Sequence, residues 1–193
     1  IEGVVKNYVS NSGKTLSEDV QSGRVLLLPK NLYIWATMNT SDQSLFPIDS
    51  AFKRRWDWKY IKIADAGKGW MIKCGSEACD WWKFVSEINK NIAEETNSDD
   101  KKLGYFFCKP DKDDVVVSEE KFVGKVLFYL WNDVFKDGDT SIFKLDTSTG
   151  EPSFEDFYTI DEAGATVVSK SALRQFLINI VGEDELIQDF AND

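Results

Sequence analysis

Leu32-Tyr33-Ile34-Trp35-Ala36 is an unbroken apolar run that stops at a polar cluster, Thr37, Asn39, Thr40, Ser41 and Asp42. A continuous run with aromatic and β-branched members predicts a strand buried on both faces, the pattern of a parallel sheet covered on each side. In open α/β sheets ligands bind beyond the carboxyl ends of the strands. The polar cluster therefore stands where a ligand would be met, and the fold class read from this feature is α/β.

The residues that follow extend the pattern. After Pro47 a short helix is predicted from Asp49 to Arg55, because Ile48, Ala51 and Phe52 fall on one side at helical spacing. Lys53 and Arg54 point away from that side, while Arg55 lies near it if the helix lasts that long. Asp49 reads equally as the helix N-cap or as an ion-pair partner of the arginines. Trp58 to Ile63 reads as a second strand, which Lys59 and Lys62 mark as an edge. Ahead of all this, Ile1 to Lys30 reads as loop or hairpin leading into Val25-Leu26-Leu27-Leu28.

From Ala64 to Ser76, Gly67, Gly69 and Gly75 mark a connection, and downstream the periodicity becomes helical. Trp81, Val85, Ile88 and Ile92 make one apolar stripe behind Asp80 as N-cap. A second helix starts at Ser118, takes Glu119 and Glu120 at the positive end of its dipole, and buries Phe122, Val126, Leu127, Leu130 and Val134 before Gly138. A third runs from Ser169 with Ala172, Leu173, Phe176, Leu177 and Ile180 inside, and stops at Gly182. Trp81, Trp82 and Trp131 sit in helical stripes without basic neighbours, so they read as core and not as base-stacking platforms. The segment from Asp137 to Pro152 is a polar loop.

Composition narrows the chemistry. A net charge of −10 argues against the chain as a whole clamping nucleic acid, which needs clustered Lys and Arg; the exception is an island from Lys53 to Lys62 with five basic residues against Asp57 alone. Cys74, Cys79 and Cys108 come with no histidine, so a Cys/His zinc set and any Ser/His or Cys/His triad are unavailable. No metal ligand set is expected. No apolar run approaches the roughly 18 residues of a membrane span. The start at Ile1, with no basic-then-apolar leader, reads as a fragment of a cytoplasmic protein.

The stretch NLYIWATMNTSDQSLFPIDSAFKRRW, Asn31 to Trp56, resembles the region after Walker B in McrB-like AAA+ NTPases. That family has a strand, then Thr-Met-Asn-Thr-Ala-Asp-Arg-Ser, then a segment ending in Ala-Leu-Arg-Arg-Arg-Phe. The resemblance implies that Leu32 to Ala36 is the sensor 1 strand and that Asn39 is the sensor 1 amide, positioning the water that attacks the γ-phosphate. Asp42 matches the acidic position of the motif. Arg54 and Arg55 match the family's arginine pair, one of which reaches a neighbouring subunit's nucleotide, where a guanidinium fork suits the phosphoryl oxygens. Thr37, Asp49 and Arg174 are the further candidates for nucleotide contact, Arg174 as a lid arginine of sensor 2 type. Taken alone, Asn39 to Asp42 would read as a turn or cap, and Lys53 to Arg55 as cations on a helix's negative end. Their order along the chain gives them their assignment.

Two positions depart from the family: Gln43 replaces an arginine, and Lys53 replaces the first of three arginines, keeping charge without the bidentate fork. WWKFVSEINKNI, KKLGYFF and FVGKVLFYLWNDVF resemble the helical lid. The implied organisation is a partial AAA+ core over residues 1–63, a connection over 64–76 and a mainly α-helical lid over 77–193. Gly13-Lys14-Thr15 resembles the end of a phosphate-binding loop but has Tyr8 where the first glycine belongs. The implied cofactor is GTP or ATP with Mg2+ in the full-length protein, none being held tightly by this segment. The implied partners are further copies in a ring, an McrC-like nuclease, and DNA through other domains, with no membrane. A non-catalytic assembly module, favoured by Gln43, is the competing expectation. Direct DNA binding through Lys53 to Lys62 is a third, disfavoured by the acidic balance.

Overall fold

The computed structural model describes residues 13–28, 30–37, 49–96, 99–136, 138–146 and 150–190. The chain divides into two compact units, Ile1–Thr40 and Ser41–Asp193.

In the first unit, the segment expected to be loop or hairpin contains a helix, α1 (Leu16–Gln21). Thr15 and Glu18 form a capping box: the Thr15 hydroxyl accepts from the Glu18 amide, and the Glu18 carboxylate accepts from the Thr15 amide at 2.8 Å. Thr15, the last residue of the apparent phosphate-loop triplet, thus serves as a helix cap. Leu32 to Ala36, expected as a buried strand, is exposed and joins no strand ladder among the described residues, and Val25 to Leu28 forms no strand. A strand of that composition needs ladder partners for its amides and carbonyls and cover for both faces, and no described residue supplies them.

The second unit opens with α2 (Ser50–Lys53), which is shorter than expected and ends before the two arginines. Trp58 to Ile63, expected as an edge strand, joins no strand ladder among the described residues. The segment 64–76, expected to be only a connection, contributes the first strand of a sheet, β1 (Met71–Cys74). β1 turns through Gly75 and Ser76 into antiparallel β2 (Glu77–Asp80), with Cys74 opposite Glu77. Gly75 carries φ +63°, which a two-residue hairpin turn needs at its first position and which glycine adopts without strain. Short β3 (Val116–Val117) pairs parallel to β1, and β6 (Leu186–Ile187) pairs antiparallel to β2, giving the order β3-β1-β2-β6. A separate hairpin joins β4 (Tyr158–Ile160) to β5 (Thr166–Val168).

The helices follow the periodic stripes. α3 (Trp81–Thr96) starts where the Asp80 carboxylate accepts from the Lys83 amide at 2.7 Å, and it buries Trp81, Phe84, Val85, Ile88 and Ile92. α4 (Glu119–Phe122) is capped by Ser118 and continues through two wide π-type turns, Val123–Leu127 and Leu130–Val134. The Phe135 amide closes the last of these on the Leu130 carbonyl, five residues back, at 2.9 Å. α5 (Lys170–Val181) is capped by Ser169 and ends at Gly182, and buries the expected five residues. Between α4 and β4, the nominally polar loop sends Phe143 into the core.

The core is aromatic. Phe176 of α5 lies at its centre, stacked on Phe143 at 5.6 Å and meeting Phe157 edge-on at 6.0 Å, with Phe84 and Phe122 also in ring contact. Trp81 is fully buried and its Nε1 donates to the Tyr105 carbonyl at 2.7 Å; Trp82 and Trp131 pack partly buried against the same cluster. A tryptophan can be buried this deeply only when its N–H has a partner. The second unit is thus a mixed α/β body, and the region expected to be a mainly helical lid also carries most of the sheet.

Candidate functional site

Local structure places the basic residues at the end of α2. Asp49 is the N-cap: its Oδ1 accepts from the Phe52 amide at 2.6 Å, and it forms no ion pair with the arginines among the described residues. At the other end the chain unwinds through bonds to residues three back, Arg55 N–H to the Phe52 carbonyl at 3.0 Å and Trp56 N–H to the Lys53 carbonyl at 3.3 Å. Trp58 Nε1 donates to that same Lys53 carbonyl at 2.9 Å, satisfying an acceptor that a helix end would leave open. Arg54 occupies the C-cap and Arg55 the next turn position, both exposed. Neither guanidinium is in an ion pair among the described residues. The result is two charged forks presented outward from a short capped helix, a geometry suited to an anion supplied from outside.

Thr37 is exposed and lies in no element. Asn39, Asp42 and Gln43 lie outside the described residues. Thr37 belongs to the first unit and Asp49, Arg54 and Arg55 to the second.

Arg174, expected to be a lid arginine, is already engaged. On the second turn of α5 its Nε donates to Glu77 Oε2 at 2.6 Å and its Nη2 to Glu77 Oε1 at 3.3 Å, with Glu183 Oε1 3.0 Å from the same Nη2. The Gln188 amide also donates to Glu77. Glu77 is 8 % exposed, and the Arg174 hydrogen bonds hold its carboxyl below the usual carboxylate range. This bidentate pair joins β2, α5 and the stretch after Gly182. Any ligand taken by Arg174 would have to displace Glu77. No sequence signal marked Glu77, because its partner lies 97 residues away.

Two other polar groups sit at the same hairpin. Glu119, also buried, accepts from the Gly75 amide and ties the start of α4 to the β1–β2 turn. Cys74 donates weakly to the Lys170 carbonyl at 3.5 Å. All three cysteines are free thiols and buried. Burial pushes the Cys74 and Cys79 thiols up to about 12, and raises Cys108 as well. At neutral pH they are neutral thiols and poor nucleophiles or metal ligands. Among the described residues no cluster of Cys, Asp or Glu has the geometry to hold a metal ion.

Enclosed cavities add little. Two shallow depressions mark the described surface: about 280 Å³ beside Glu95, Lys101 and Asp133, and about 310 Å³ on the β4–β5 hairpin beside Glu155, Tyr158 and Ile160. Neither touches Arg54, Arg55 or Arg174. No described helix is long and apolar enough to cross a membrane.

No protein-family model matches the chain, and no solved structure matches it. The chain is similar to YdiS of Bacillus subtilis strain 168, a component of the type II restriction enzyme BsuMI, at 34 % identity over 152 residues. The match takes in 75 % of this chain and 41 % of YdiS, so the chain spans less than half the length of that relative. The likeness places the chain beside a restriction-system component.

Proposed function

We propose that this chain is the carboxy-terminal part of an AAA+ NTP-hydrolysing module of McrB-like type, acting in a restriction system. The observation that carries the reading is the ordered set from Asn31 to Trp56: apolar run, Thr37-Met38-Asn39-Thr40, Asp49 and the arginine pair. The exposed, unpaired guanidinia of Arg54 and Arg55 at the end of an Asp49-capped helix support it, as does similarity to a restriction-enzyme component. On this reading Leu32 to Ala36 and Trp58 to Ile63 are strands of a core sheet whose other strands, with Walker A and Walker B, come from elsewhere in the full-length protein. Their apolar surface, Trp35 at 87 % and Ile61 at 80 % exposed, is what such strands would bury.

The chemistry follows from the side chains. Asn39 would orient the water that attacks GTP or ATP, and the Mg2+ bound with the nucleotide would supply charge neutralisation at the phosphates. Arg54 or Arg55 of a neighbouring copy spreads charge from the departing γ-phosphoryl through its fork. Thr37 and Asp42 are the further candidates of the same motif, and Asp49 caps the helix from which the arginines project. The partners are further copies in a ring, an McrC-like nuclease subunit and DNA engaged through other domains, in the cytoplasm. A second reading, a non-catalytic assembly module on the same fold, is favoured by Gln43 in place of the family's arginine.

The test is GTP and ATP hydrolysis by the full-length protein and its Arg54→Ala and Arg55→Ala variants. Loss of an arginine finger costs roughly a thousandfold or more in kcat, so one variant is expected to fall that far while nucleotide binding holds. Hydrolysis unchanged in both, or absent from a wild type that still assembles, would replace the motor with the assembly module.

A further inference from the structure

The β4–β5 hairpin presents an apolar depression beside an open strand edge. In its ladder the Asp161 N–H donates to the Ala165 carbonyl and the Ser169 N–H to the Phe157 carbonyl, each at 2.9 Å. Paired and outward backbone groups alternate along an antiparallel strand, so the N–H and C=O of Ile160 and the C=O of Tyr158 point away from β5. No strand meets that edge among the described residues. Tyr158 and Ile160 are alternate residues of β4 and share a face. With Thr159, Thr166 and Glu155 they line the depression, and Ile160 is 64 % exposed. From Tyr158 the apolar surface runs through Phe154, at 5.8 Å, to Phe128, half exposed on the continuation of α4 and edge-on to Phe154 at 5.7 Å.

The charge around this surface has one sign: from Leu145 to Ser169 there are six acidic residues and no basic one. Glu155 precedes β4 and Glu162 follows it; both are exposed, and neither is in an ion pair among the described residues. An apolar centre with a carboxylate at each end and open backbone between them fits an extended polypeptide whose apolar side chain is flanked by Lys or Arg. Nucleic acid and anionic lipid bring phosphate, which this surface repels. A second copy of this chain brings a net charge of −10, and its basic island, Lys53 to Lys62, overlaps the stretch that the motor reading buries as a core strand.

We propose that the outer edge of β4 takes up an extended basic segment of a different polypeptide as an added strand. The backbone of Ile160 pairs with the segment, Tyr158 and Ile160 cover its apolar side chain, and Glu155 and Glu162 hold its cations and so set its register. Neither nucleotide nor a ring enters the contact, so its test is separate from that of the motor reading.

The test uses the full-length protein and a fluorescein-labelled synthetic peptide, Lys-Val-Thr-Val-Lys between glycines, followed by fluorescence anisotropy. Glu155→Lys with Glu162→Lys is expected to weaken binding roughly tenfold, because like charges then face each other. Ile160→Ser, at an exposed position and with no change of charge, should weaken it several-fold. Methylating alternate amide nitrogens of the peptide should abolish binding in one phase and spare it in the other, since only every second N–H of an added strand faces β4. No binding up to about 1 mM peptide, equal binding by wild type and variants, or indifference to both methylation phases overturns the proposal. Maleimide labelling of full-length Ile160→Cys, read at that position by peptide mass, separates the other occupants. Fast labelling at every protein concentration, slowed by added peptide, is expected. Labelling slow at every concentration would mean that the protein's own chain covers the edge, and labelling that slows as concentration rises would mean a second copy; either overturns the proposal.

Discussion

Replacing Phe176 by alanine should cost more stability than any other single truncation in the second unit. The ring is fully buried at the meeting point of four others: Phe84 on α3, Phe122 on α4, Phe143 in the turn Ser141–Phe143 and Phe157 in the turn Phe154–Phe157. Phe→Ala changes in cores cost about 3–5 kcal/mol, the spread reflecting how far the surroundings can collapse. Here collapse is resisted, because the four rings belong to four separate elements, each tied by its own backbone bonds. Ring pairs add roughly 0.5–1.5 kcal/mol beyond the area they bury. We therefore expect about 4 kcal/mol for Phe176→Ala. At about 2–4 °C per kcal/mol for a body of this size, Tm should fall by roughly 8–16 °C. Phe176→Leu keeps most of the volume and loses the ring contacts, so it should cost about half as much. Urea titration followed by tryptophan fluorescence measures both, the midpoint shifting with an unchanged slope. A loss below about 1.5 kcal/mol for the alanine variant would refute the placement of Phe176 at the hub, on the same scale.

Three further outcomes follow from the polar groups. Because Arg174 holds the Glu77 carboxyl below its ordinary value of 4.5, the pair contributes stability that is full above that pH and is lost as pH falls below it; Glu77→Gln should flatten this acid limb in melts across pH 3 to 7. Cys74 and Cys79, with thiols pushed up to about 12, should resist alkylation at pH 8 in the native state and react fully in denaturant, as a mass shift reports. Ser118→Ala removes the acceptor of the Lys121 amide at the start of α4 and should cost about 1 kcal/mol by the same urea assay.

What the sequence revealed depended on how far each element's partners lie along the chain. A helix satisfies its backbone within itself, so stripe and caps suffice: Asp80, Ser118, Ser169 and Gly182 bound α3, α4 and α5 as read. The wide turns inside α4 left no such mark. Strands are defined by ladders to distant residues, which a local pattern does not carry. β1 looked like linker because Gly67, Gly69 and Gly75 surround it and four residues show no clear alternation, while Leu32 to Ala36 looked like the best strand and has no partner among the described residues. Phe143 was hidden in a polar loop, its neighbour Phe176 lying 33 positions away in the chain, and Glu77 was hidden because Arg174 is farther still. At the candidate site the residue types were legible and the local geometry partly so: Asp49 as cap and the outward Arg54 follow from a few neighbouring residues, whereas Arg55, expected near the apolar side of a longer helix, is exposed because α2 ends at Lys53.

The most direct test of the motor reading is complementation between subunits. Full-length Asn39→Ala and Arg54→Ala variants are each assayed for GTP and ATP hydrolysis, then mixed in equal amounts. If one copy supplies Asn39 and its neighbour the arginine, each variant alone is inactive and the mixture regains part of the wild-type rate, because some interfaces then pair an intact Asn39 with an intact Arg54. A mixture no more active than its components, with assembly intact, would contradict a shared active site and leave an assembly module on this fold.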